Sequence, residues 1–444
     1  MSHSNAPSLR FIVEPGGCLA GQIRVPGDKS ISHRSIMLGS IADGVTEVQG
    51  FLEGEDSLST LKAFRAMGVS IEGPVDGKVT IHGVGLHGLK APDAPLNLGN
   101  SGTSMRLMSG LLAGQNFDVE MVGDESLSGR PMSRVINPLA LMGANVAGNK
   151  DGTPPLKVSG GQALKGIDYT LPMASAQVKS CLLLAGLYAE GRTCITEPAP
   201  TRDHTERMLC GFGYAVERKG NQVCIEGGGK LTACSIDVPS DISSAAFFLV
   251  GASVAKDSDL LLKHVGMNST RIGVINILRL MGANIELLNE REIGGEPVAD
   301  IRVRSSQLKG VRIPEDQVPL AIDEFPAIFI AAACATGETV LTGAEELRVK
   351  ESDRIQAMAD GLVILGIDAR PTADGIVIQG GELGGGVVNS CGDHRIAMSF
   401  AMAALCSKEN IVIEHCSNVA TSFPGFVELA QQAGLAIIAE HVKG

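Results

Sequence analysis

Apolar and polar positions recur in a fixed order along the 444-residue chain. A small or polar residue suited to cap a helix precedes an alanine- and leucine-rich run six times, at Asp28, Asn100, Ser175, Asp241, Asp323 and Asp393. After each, a glycine closes a second helical pattern, at Gly68, Gly143, Gly213, Gly282, Gly366 and Gly434. The offsets are 40, 43, 38, 41, 43 and 41 residues. This regularity indicates six copies of one structural repeat.

Each repeat contains two helices and several strands. The second helices end in similar stretches, such as Leu-Met-Gly-Ala-Asn-Val at 141–146 and Leu-Met-Gly-Ala-Asn-Ile at 280–285. The glycine suits the left-handed position just beyond a helix. Alternating stretches at 69–72 and 283–286 follow and predict strands. The predicted order in each repeat is strand, helix, strand, helix and a pair of strands.

Two Val-Pro-x-Asp segments, at 25–28 and 238–241, divide the six repeats into two sets of three. The sequence therefore predicts two similar α/β domains joined by two neighbouring strands, an ordinary size for each half of a chain of this length. The alternative is one large α/β sheet whose halves resemble each other by accident.

Composition narrows the possible functions. The chain has 55 glycines, no tryptophan and 3% aromatic residues, and its net charge is −12. Few aromatic platforms and an acidic balance argue against binding to nucleic acid or to an anionic membrane surface. The longest apolar stretches, 245–255 and 327–335, are too short to span a bilayer and predict buried helices. The first 15 residues lack the pattern of a signal peptide.

Cysteine and histidine spacing predicts no metal site. The ten cysteines are scattered without a Cys-x-x-Cys pair, and most lie in apolar runs, as buried free thiols do. Free thiols suit a reducing cytoplasm. The nine histidines form no His-x-x-x-His or Cys/His grouping.

Cations cluster where helices are predicted to begin, against the overall acidic balance. A cation at a helix N-terminus opposes the helix dipole and costs about 0.3–1 kcal/mol, whereas an anion is attracted there. Solvated surface charge is the alternative for any one segment, but the recurrence indicates anion-binding sites. The cations concerned are Lys29, Arg34, Arg130, Arg202, Lys350, Arg354 and Arg395.

Two carboxylates lie among these cations. Asp323 is predicted to open a helix, and Glu351 stands between Lys350 and Arg354. A carboxylate surrounded by cations keeps a low pKa and suits the role of a base or a charge that orients other groups. The alternative is an ion pair that only holds a loop.

Two long segments carry a family resemblance. Leu-Pro-Met-Ala-Ser-Ala-Gln-Val-Lys-Ser at 171–180 and Leu-Arg-Val-Lys-Glu-Ser-Asp-Arg at 347–354 resemble the 5-enolpyruvylshikimate-3-phosphate (EPSP) synthase family, especially its bacterial class II form. The likeness runs over residues 21–426. It implies the two-domain inside-out α/β barrel of enolpyruvyl transferases, with six βαβαββ repeats, three per domain. Residues 1–25 and 241–444 would form a discontinuous domain, 26–240 an inserted domain, and the active site would lie in the interdomain cleft.

The resemblance also implies a reaction. The family transfers the enolpyruvyl group of phosphoenolpyruvate to the 5-hydroxyl of shikimate 3-phosphate and releases phosphate, on the route to chorismate and the aromatic amino acids. No redox cofactor and no metal are expected. The implied protein is a cytoplasmic monomer.

Site residues follow from the same resemblance. The implied shikimate 3-phosphate ligands are Lys29, Ser30, Arg34, Ser175, Gln177, Arg202, Asp323 and Lys350. The implied phosphoenolpyruvate ligands are Lys29, Asn100, Gly102, Arg130, Gln177, Arg354 and Arg395. Asp323 would accept the hydroxyl proton, while Glu351 and Lys29 are both candidates to protonate the enol carbon.

Two positions qualify the comparison with the family. Thr421 stands where class I members have a lysine, so the contact that this lysine makes in class I members is not expected here. Gly102 stands where glyphosate-tolerant class II members tend to have alanine, so we expect glyphosate to bind.

Other functions are less well supported. UDP-N-acetylglucosamine enolpyruvyl transferases mostly carry a reactive cysteine in the loop that corresponds to 123–130, and this loop has none. A noncatalytic phosphometabolite-binding protein would gain nothing from Asp323 and Glu351 beside its phosphates. RNA-end processing, known for a fold relative, is disfavoured by the acidic charge.

Overall fold

The computed structural model describes residues 8–442, so residues 1–7 and 443–444 of the predicted discontinuous domain lie outside the described residues. The chain forms two compact units. Unit 1 contains the chain up to Pro26, Pro239–Arg291 and the chain from Pro297 onward. Unit 2 contains Gly27–Val238 and the short segment Glu292–Glu296.

Strands and helices alternate throughout the described chain. Strands β1 to β12 are Ser8–Val13, Ala20–Ile23, Asp43–Gln49, Ser70–Val75, Lys78–Val84, Leu96–Asn97, Val119–Val122, Asn145–Ala147, Leu156–Ser159, Asp168–Thr170, Arg192–Thr196 and Val216–Lys219. Strands β13 to β23 are Gln222–Glu226, Ser235–Asp237, Asp259–Gly266, Asn284–Ile293, Glu296–Arg304, Glu338–Leu341, Asp368–Pro371, Ile376–Gln379, Gly386–Asn389, Ile411–Glu414 and Ile437–Val442. Helices α1 to α14 are Lys29–Ser40, Glu55–Ala66, Gly102–Ala113, Glu125–Ser128, Ser133–Leu141, Ala176–Gly186, His204–Gly211, Ile242–Val254, Gly273–Leu280, Val318–Ala321, Phe325–Ala333, Arg354–Ile364, His394–Ala403 and Phe426–Ala433.

The strands form six small sheets, three in each unit. Unit 2 holds the sheets β14-β3-β5-β4, β6-β7-β9-β8 and β10-β11-β13-β12. Unit 1 holds β16-β17-β15-β2, β18-β20-β19 and β21-β22-β1-β23. Each four-stranded sheet has one parallel pair, which an edge strand forms with its neighbour. The other strand pairs whose register is known are antiparallel. The two-domain α/β fold of six βαβαββ repeats is thereby confirmed.

Where the chain passes from one unit to the other after β2 and after β14, the last strand before the crossing pairs within the unit that the chain is leaving. Strand β2 pairs in parallel with β15 of unit 1, although it leads into α1 of unit 2. Strand β14 pairs in parallel with β3 of unit 2, although it leads into α8 of unit 1. The N-terminal strand β1 completes the last sheet between β22 and β23.

The repeated glycines occupy the backbone conformation that the sequence pattern predicts. Gly68, Gly143, Gly213, Gly282, Gly366 and Gly434 all have positive φ, between 78° and 116°. Each follows the second helix of its repeat. A side chain would be strained in this region, so glycine is the residue that ends these helices at a fixed point.

Small residues let the buried helices approach closely. The apolar helices α8 and α11 are buried along nearly their whole length in the core of unit 1, as predicted for 245–255 and 327–335. In unit 2, helices α3 and α6 meet at Gly110, where a Cβ atom would lie 2.0 Å from the carbonyl oxygen of Cys181. Packing at this distance is possible only without a side chain. Within residues 8–442, no helix is long and apolar enough to cross a membrane.

Most of the cysteines are free, as the sequence predicts, and one pair is the exception. Cys194 and Cys224 face each other across the antiparallel strands β11 and β13 and form a disulfide. The spacing of 30 residues concealed this pair because strand pairing, not sequence proximity, brings the two side chains together. The other eight cysteines are free, and two of them, Cys181 and Cys416, are fully buried.

Gly110→Ala tests the close approach of α3 and α6. We expect the free energy of unfolding to fall by about 1–3 kcal/mol, because the methyl group forces the two helices apart. Gly211→Ala is the matched control, since Gly211 lies in helix α7 and nothing approaches its Cβ position within 4 Å. Urea titration should show Gly211→Ala unchanged or more stable by up to about 1 kcal/mol; equal stability of the two variants would contradict the packing argument.

Candidate functional site

In unit 2, helix α1 begins at a charged N-terminus. The Asp28 carboxylate caps the helix by accepting a hydrogen bond from the Ile31 amide, 2.9 Å away. The first helical residue is Lys29, whose Nζ donates to Asp56 Oδ2 at 3.2 Å. Lys29 is partly exposed. A cation therefore stands where the helix dipole and the N-terminal amide groups attract an anion.

One turn further along α1, Arg34 is almost fully buried, with 4% of its surface exposed. Its guanidinium donates to the Ser30 carbonyl (2.9 Å), Thr205 Oγ1 (2.6 Å) and Ser180 Oγ (2.9 Å). Burial lowers the pKa of Arg34 to about 10, with Glu206 and Asp28 opposing the shift and Arg202 adding to it. Arg34 stays charged near neutral pH, and the nearby Arg202 adds a second positive charge to this region.

A second group of side chains gathers at the start of α3. Ser101 caps this helix, and Gly102 is its first residue. Arg130 donates to Asn100 Oδ1 (2.6 Å), and Arg106 donates to Gln177 Oε1 (2.7 Å). A Cβ atom on Gly102 would lie 2.9 Å from one guanidinium nitrogen of Arg106 and 3.2 Å from one of Arg130. The missing side chain leaves room for both guanidinium groups beside the helix N-terminus.

Helix α6 starts next to this group. Ser175 caps α6 by accepting from the Val178 amide at 3.3 Å. Gln177 links α6 to α3, since its Nε2 donates to Thr103 Oγ1 at 3.0 Å while its Oε1 accepts from Arg106. The amide of Gln177 is thereby held in one orientation.

Buried polar side chains support the two groups from below. His33 Nδ1 lies 2.8 Å from Thr60 Oγ1 and 3.3 Å from Ser104 Oγ, and Ser104 in turn contacts the cap Ser101. Burial, assisted by the charges of Lys29 and Arg34, lowers the pKa of His33 well below its ordinary value. His33 is therefore a neutral connector between α1 and α3.

Lys179, fully buried on α6, forms a second support. Its Nζ lies 3.0 Å from Glu197 and 2.7 Å from Glu206. Glu197 also accepts from Thr201 at the other end of the loop that carries Arg202. This ion cluster fixes the loop between β11 and α7.

In unit 1, Arg354 is the centre of the charged cluster. It is the first residue of α12 and is 0% exposed. Its guanidinium donates to Asp393 Oδ2 (2.8 Å), Glu351 Oε2 (2.7 Å) and Asp323 Oδ1 (3.4 Å). Burial opposes the charge on Arg354, but the three carboxylates outweigh burial and raise its pKa. One buried cation thus holds three carboxylates in fixed positions.

Asp393 connects this cluster to helix α13. Its carboxylate caps α13 through the Arg395 amide (2.9 Å) and also accepts from Ser352 Oγ (3.1 Å). Burial favours the neutral acid, yet Arg354 prevails and holds the pKa of Asp393 below its ordinary value. Asp393 therefore remains ionised and buried.

Two further cations approach Asp323. Lys350 Nζ lies 3.8 Å from Asp323 Oδ1 and 2.9 Å from Glu346 Oε1. The Arg395 guanidinium donates to the Asp323 carbonyl oxygen at 3.1 Å and lies 3.9 Å from Glu324. Glu324 is itself anchored by Ser243 in the buried core. Both the backbone and the carboxylate of Asp323 are held by positive charge.

The structure brings the candidate residues into two clusters, one in each unit. The unit 2 cluster contains Lys29, Ser30, Arg34, Asn100, Gly102, Arg130, Ser175, Gln177 and Arg202. The unit 1 cluster contains Asp323, Lys350, Glu351, Arg354 and Arg395.

Three details of the predicted helix starts are wrong. Ser101, not Asn100, caps α3, and Asn100 instead binds Asp124 and Arg130. Asp323 lies in the turn before α11, where Glu324 holds the cap position without a side-chain cap bond. Arg130 follows the short helix α4 in a turn, and α5 begins only at Ser133. Asn100 and Asp323, which were expected to cap backbone amides, contact other charged or polar side chains instead.

Four residues of the clusters were missed as site residues. Arg106 follows Gly102 by four residues, about one helical turn, and this spacing could have indicated that both lie on the same side of the helix. Asp393 was recognised only as a cap, although a buried cap beside two arginines can also bind them. Asp56 and Lys179 gave no sequence signal, since both reach the site only through the packing of neighbouring helices.

Comparison with known proteins is consistent along the whole chain. A sequence profile for EPSP synthase (3-phosphoshikimate 1-carboxyvinyltransferase) matches residues 13–429. A 3-phosphoshikimate 1-carboxyvinyltransferase of Methylococcus capsulatus is 70% identical over 427 residues, covering 96% of this chain and 98% of the relative. One from Nitrosococcus oceani is 68% identical over 430 residues, covering 97% of each chain. A solved structure of EPSP synthase from Acinetobacter baumannii has a TM-score of 0.90 and 61% identity, covering 98% of this chain and 100% of that one.

Asp393→Asn tests the buried ion pair through its pH dependence. Asparagine keeps the cap of α13 but removes the charge that faces Arg354, so we expect a loss of about 2 kcal/mol in the free energy of unfolding at pH 7. The pKa of Asp393 is lower in the folded protein than its ordinary value of 3.8. Its contribution is therefore fully present above that value and is lost as the pH falls through the folded pKa.

Urea titrations between pH 7 and pH 3 should accordingly show the difference between the wild type and Asp393→Asn shrinking in acid. Asp353→Asn is the control, because Asp353 caps α12 in a similar way but its side chain is 38% exposed. We expect that variant to lose less than about 1 kcal/mol. A difference for Asp393→Asn that stays constant with pH would contradict the ion-pair account.

Proposed function

The chain belongs to the EPSP synthase (3-phosphoshikimate 1-carboxyvinyltransferase) family, and from that membership we propose how its two charged clusters serve the activity. The protein is an enzyme of the shikimate pathway. It transfers the enolpyruvyl group of phosphoenolpyruvate to the 5-hydroxyl of shikimate 3-phosphate, in the biosynthesis of aromatic amino acids. The assignment of individual residues below is our proposal.

The reaction sets clear demands on the protein. The 5-hydroxyl of shikimate 3-phosphate loses a proton and its oxygen attacks C2 of phosphoenolpyruvate, while C3 gains a proton. The resulting tetrahedral adduct then loses inorganic phosphate together with a proton from C3, which restores the double bond. The site must therefore bind two phosphates and two carboxylates, and it must supply an acid and a base.

For shikimate 3-phosphate, we propose that Lys29, Ser30, Arg34, Ser175, Gln177 and Arg202 bind from unit 2. The support is electrostatic. Arg34 donates its three hydrogen bonds to uncharged oxygens, so its positive charge is not neutralised within those contacts. With Arg202 nearby, this cluster favours a doubly charged anion such as a phosphate.

For phosphoenolpyruvate, we propose Lys29, Asn100, Gly102, Arg130 and Gln177 of unit 2 as ligands, with Arg354 and Arg395 of unit 1. Asn100 and Gln177 hold Arg130 and Arg106, respectively, next to the N-terminus of α3. Arg106 is added to the proposed ligands, because it shares the space beside Gly102 with Arg130.

Asp323 is our proposed general base, and its environment is the observation that carries the assignment. Its Oδ1 lies 3.4 Å from Arg354 and 3.8 Å from Lys350. Two cations at this distance favour the ionised carboxylate, which is the form that accepts a proton from the 5-hydroxyl. Lys350 completes the proposed ligands of shikimate 3-phosphate.

For protonation of the enol carbon we propose Glu351, with Lys29 as the rival. Glu351 is part exposed and bound to Arg354 through one oxygen, Oε2, at 2.7 Å. Lys29 is the alternative because its amino group stands at the first residue of α1 in the other cluster. Separate Glu351→Gln and Lys29→Met variants distinguish them when proton exchange at C3 is followed.

The proposed setting is a cytoplasmic monomer that also binds glyphosate. The eight free cysteines suit a reducing compartment. Glyphosate carries a phosphonate and a carboxylate, the same charged groups as phosphoenolpyruvate.

Asp323→Ala should lower kcat by about 10²–10⁴-fold, the range for loss of a general base, while binding of shikimate 3-phosphate largely survives. The measurement is phosphate release with both substrates, together with calorimetric binding of shikimate 3-phosphate. Asp316→Ala is the control, since Asp316 is an exposed aspartate in the same unit. Near-normal turnover by Asp323→Ala would remove this residue from the mechanism.

Gly102→Ala should weaken glyphosate more than phosphoenolpyruvate. The added methyl group displaces the guanidinium groups of Arg106 and Arg130 and narrows the space at the helix N-terminus, which the longer inhibitor needs more. We expect the inhibition constant to rise at least tenfold and the KM for phosphoenolpyruvate to rise less. Gly129→Ala is the matched control, because its Cβ would meet only an ordinary contact at 3.7 Å; an inhibition constant unchanged by Gly102→Ala counts against the proposal.

A further inference from the structure

Unit 1 contains a cavity of about 500 Å³ that includes none of the proposed substrate ligands. One wall is formed by the end of β2 and the following residue, Arg24. The neighbouring strands of the same sheet contribute Lys263 and His264 of β15, Arg291 of β16 and Asp300 of β17, and helix α14 contributes Leu429. Charged groups from four strand segments therefore converge on one space.

A β-bulge directs these side chains. The register between β15 and β17 shifts between Leu262 and Val265, so that two residues of β15, Lys263 and His264, lie opposite the single residue Asp300 of β17. His264 has a left-handed backbone with φ of 59°, which is uncommon for a residue with a side chain. Such bulges often re-aim side chains next to functional sites, and strained residues concentrate there.

The single carboxylate of the cavity is already engaged. Asp300 is buried and accepts hydrogen bonds from the His264 amide (2.8 Å) and from Asn289 Nδ2 (2.9 Å), and it also binds Lys263. Burial opposes its ionisation, but these donors hold the pKa of Asp300 at about 2. Asp300 therefore organises the wall and is not placed to receive a cationic ligand.

The cavity lining contains more cations than carboxylates. Arg24, Lys263 and Arg291 line the cavity with three cations, against the one negative charge of Asp300. Arg291 donates to His264 Nδ1 at 2.7 Å and lies 3.9 Å from Asp300, which fixes its guanidinium at the cavity wall. In the ring of His264 this nitrogen is an acceptor, so the imidazole is neutral in this arrangement.

We propose that this cavity is a second binding site, for a small organic anion that carries a carboxylate or a phosphate. The volume is within the range of small-molecule sites, and Ile23 and Leu429 supply apolar surface for a short carbon skeleton. Guanidinium groups bind both kinds of oxyanion through paired N–H donors.

Within unit 1, hydrogen bonds connect the site to Val25 and Pro26. The His264 carbonyl accepts from the Ser240 amide (2.8 Å), and Ser240 Oγ donates to the Val25 carbonyl (2.9 Å). The next amide, that of Asp241, donates to the Pro26 carbonyl (2.9 Å). Pro26 precedes Lys29 by three residues in the sequence.

Isothermal titration calorimetry tests the site directly. Wild-type enzyme saturated with shikimate 3-phosphate is titrated with inorganic phosphate and, separately, with malonate, at constant ionic strength. Arg291→Gln should remove one binding event or raise its Kd at least tenfold, whereas Arg291→Lys, which keeps the charge, should retain it. Binding of phosphate alone indicates a phosphorylated ligand, and binding of malonate as well indicates that carboxylates are accepted.

Arg279→Gln is the matched control, because Arg279 is an exposed arginine of α9 that lies outside the cavity. Circular dichroism and the thermal midpoint of each variant establish that it is folded, and Arg24→Gln gives an independent test from the end of β2. Identical titrations of wild type, Arg291→Gln and Arg24→Gln would overturn the proposal. Loss of binding in Arg279→Gln to the same degree would do so too.

Discussion

Burial of a guanidinium group without loss of its charge is the constraint on which both clusters depend. Each unit places one arginine in the first turns of a helix and removes it from water: Arg34 in unit 2 and Arg354 in unit 1. A buried charge is tolerated only when its donors are satisfied. The two units solve this problem in opposite ways.

Arg354 is satisfied by carboxylates and Arg34 by neutral oxygens. Three acids raise the pKa of Arg354, whereas burial lowers that of Arg34 to about 10. The unit 1 cluster is consequently close to charge balance and holds carboxylates that can exchange protons. The unit 2 cluster keeps excess positive charge, which suits it to hold phosphate.

The sequence was sufficient to predict the repeats but not the side-chain partners. Helix ends were predictable because the positive φ after each second helix demands glycine, as at Gly68 and Gly434. The contacts of Asp323, which was wrongly predicted to cap a helix, were not predictable, because Arg354 and Lys350 approach its carboxylate from distant segments. The pairing of Cys194 with Cys224 was hidden for the same reason, since only strand register creates it. Short sequence patterns indicate local backbone geometry, but they do not indicate which side chains from distant segments come into contact.

The position of strand β1 has a consequence for biosynthesis. It lies between β22 and β23 and pairs with both, so its partners are some 400 residues away, with Phe11 opposite Ile413. A nascent chain that emerges from the ribosome N-terminus first must keep this strand unpaired until almost all of the protein has been made. The three sheets of unit 2 have all their strands once β14 has been synthesised, so unit 2 can fold during translation. Unit 1 can complete its sheets only when β23 has been synthesised, at the end of translation.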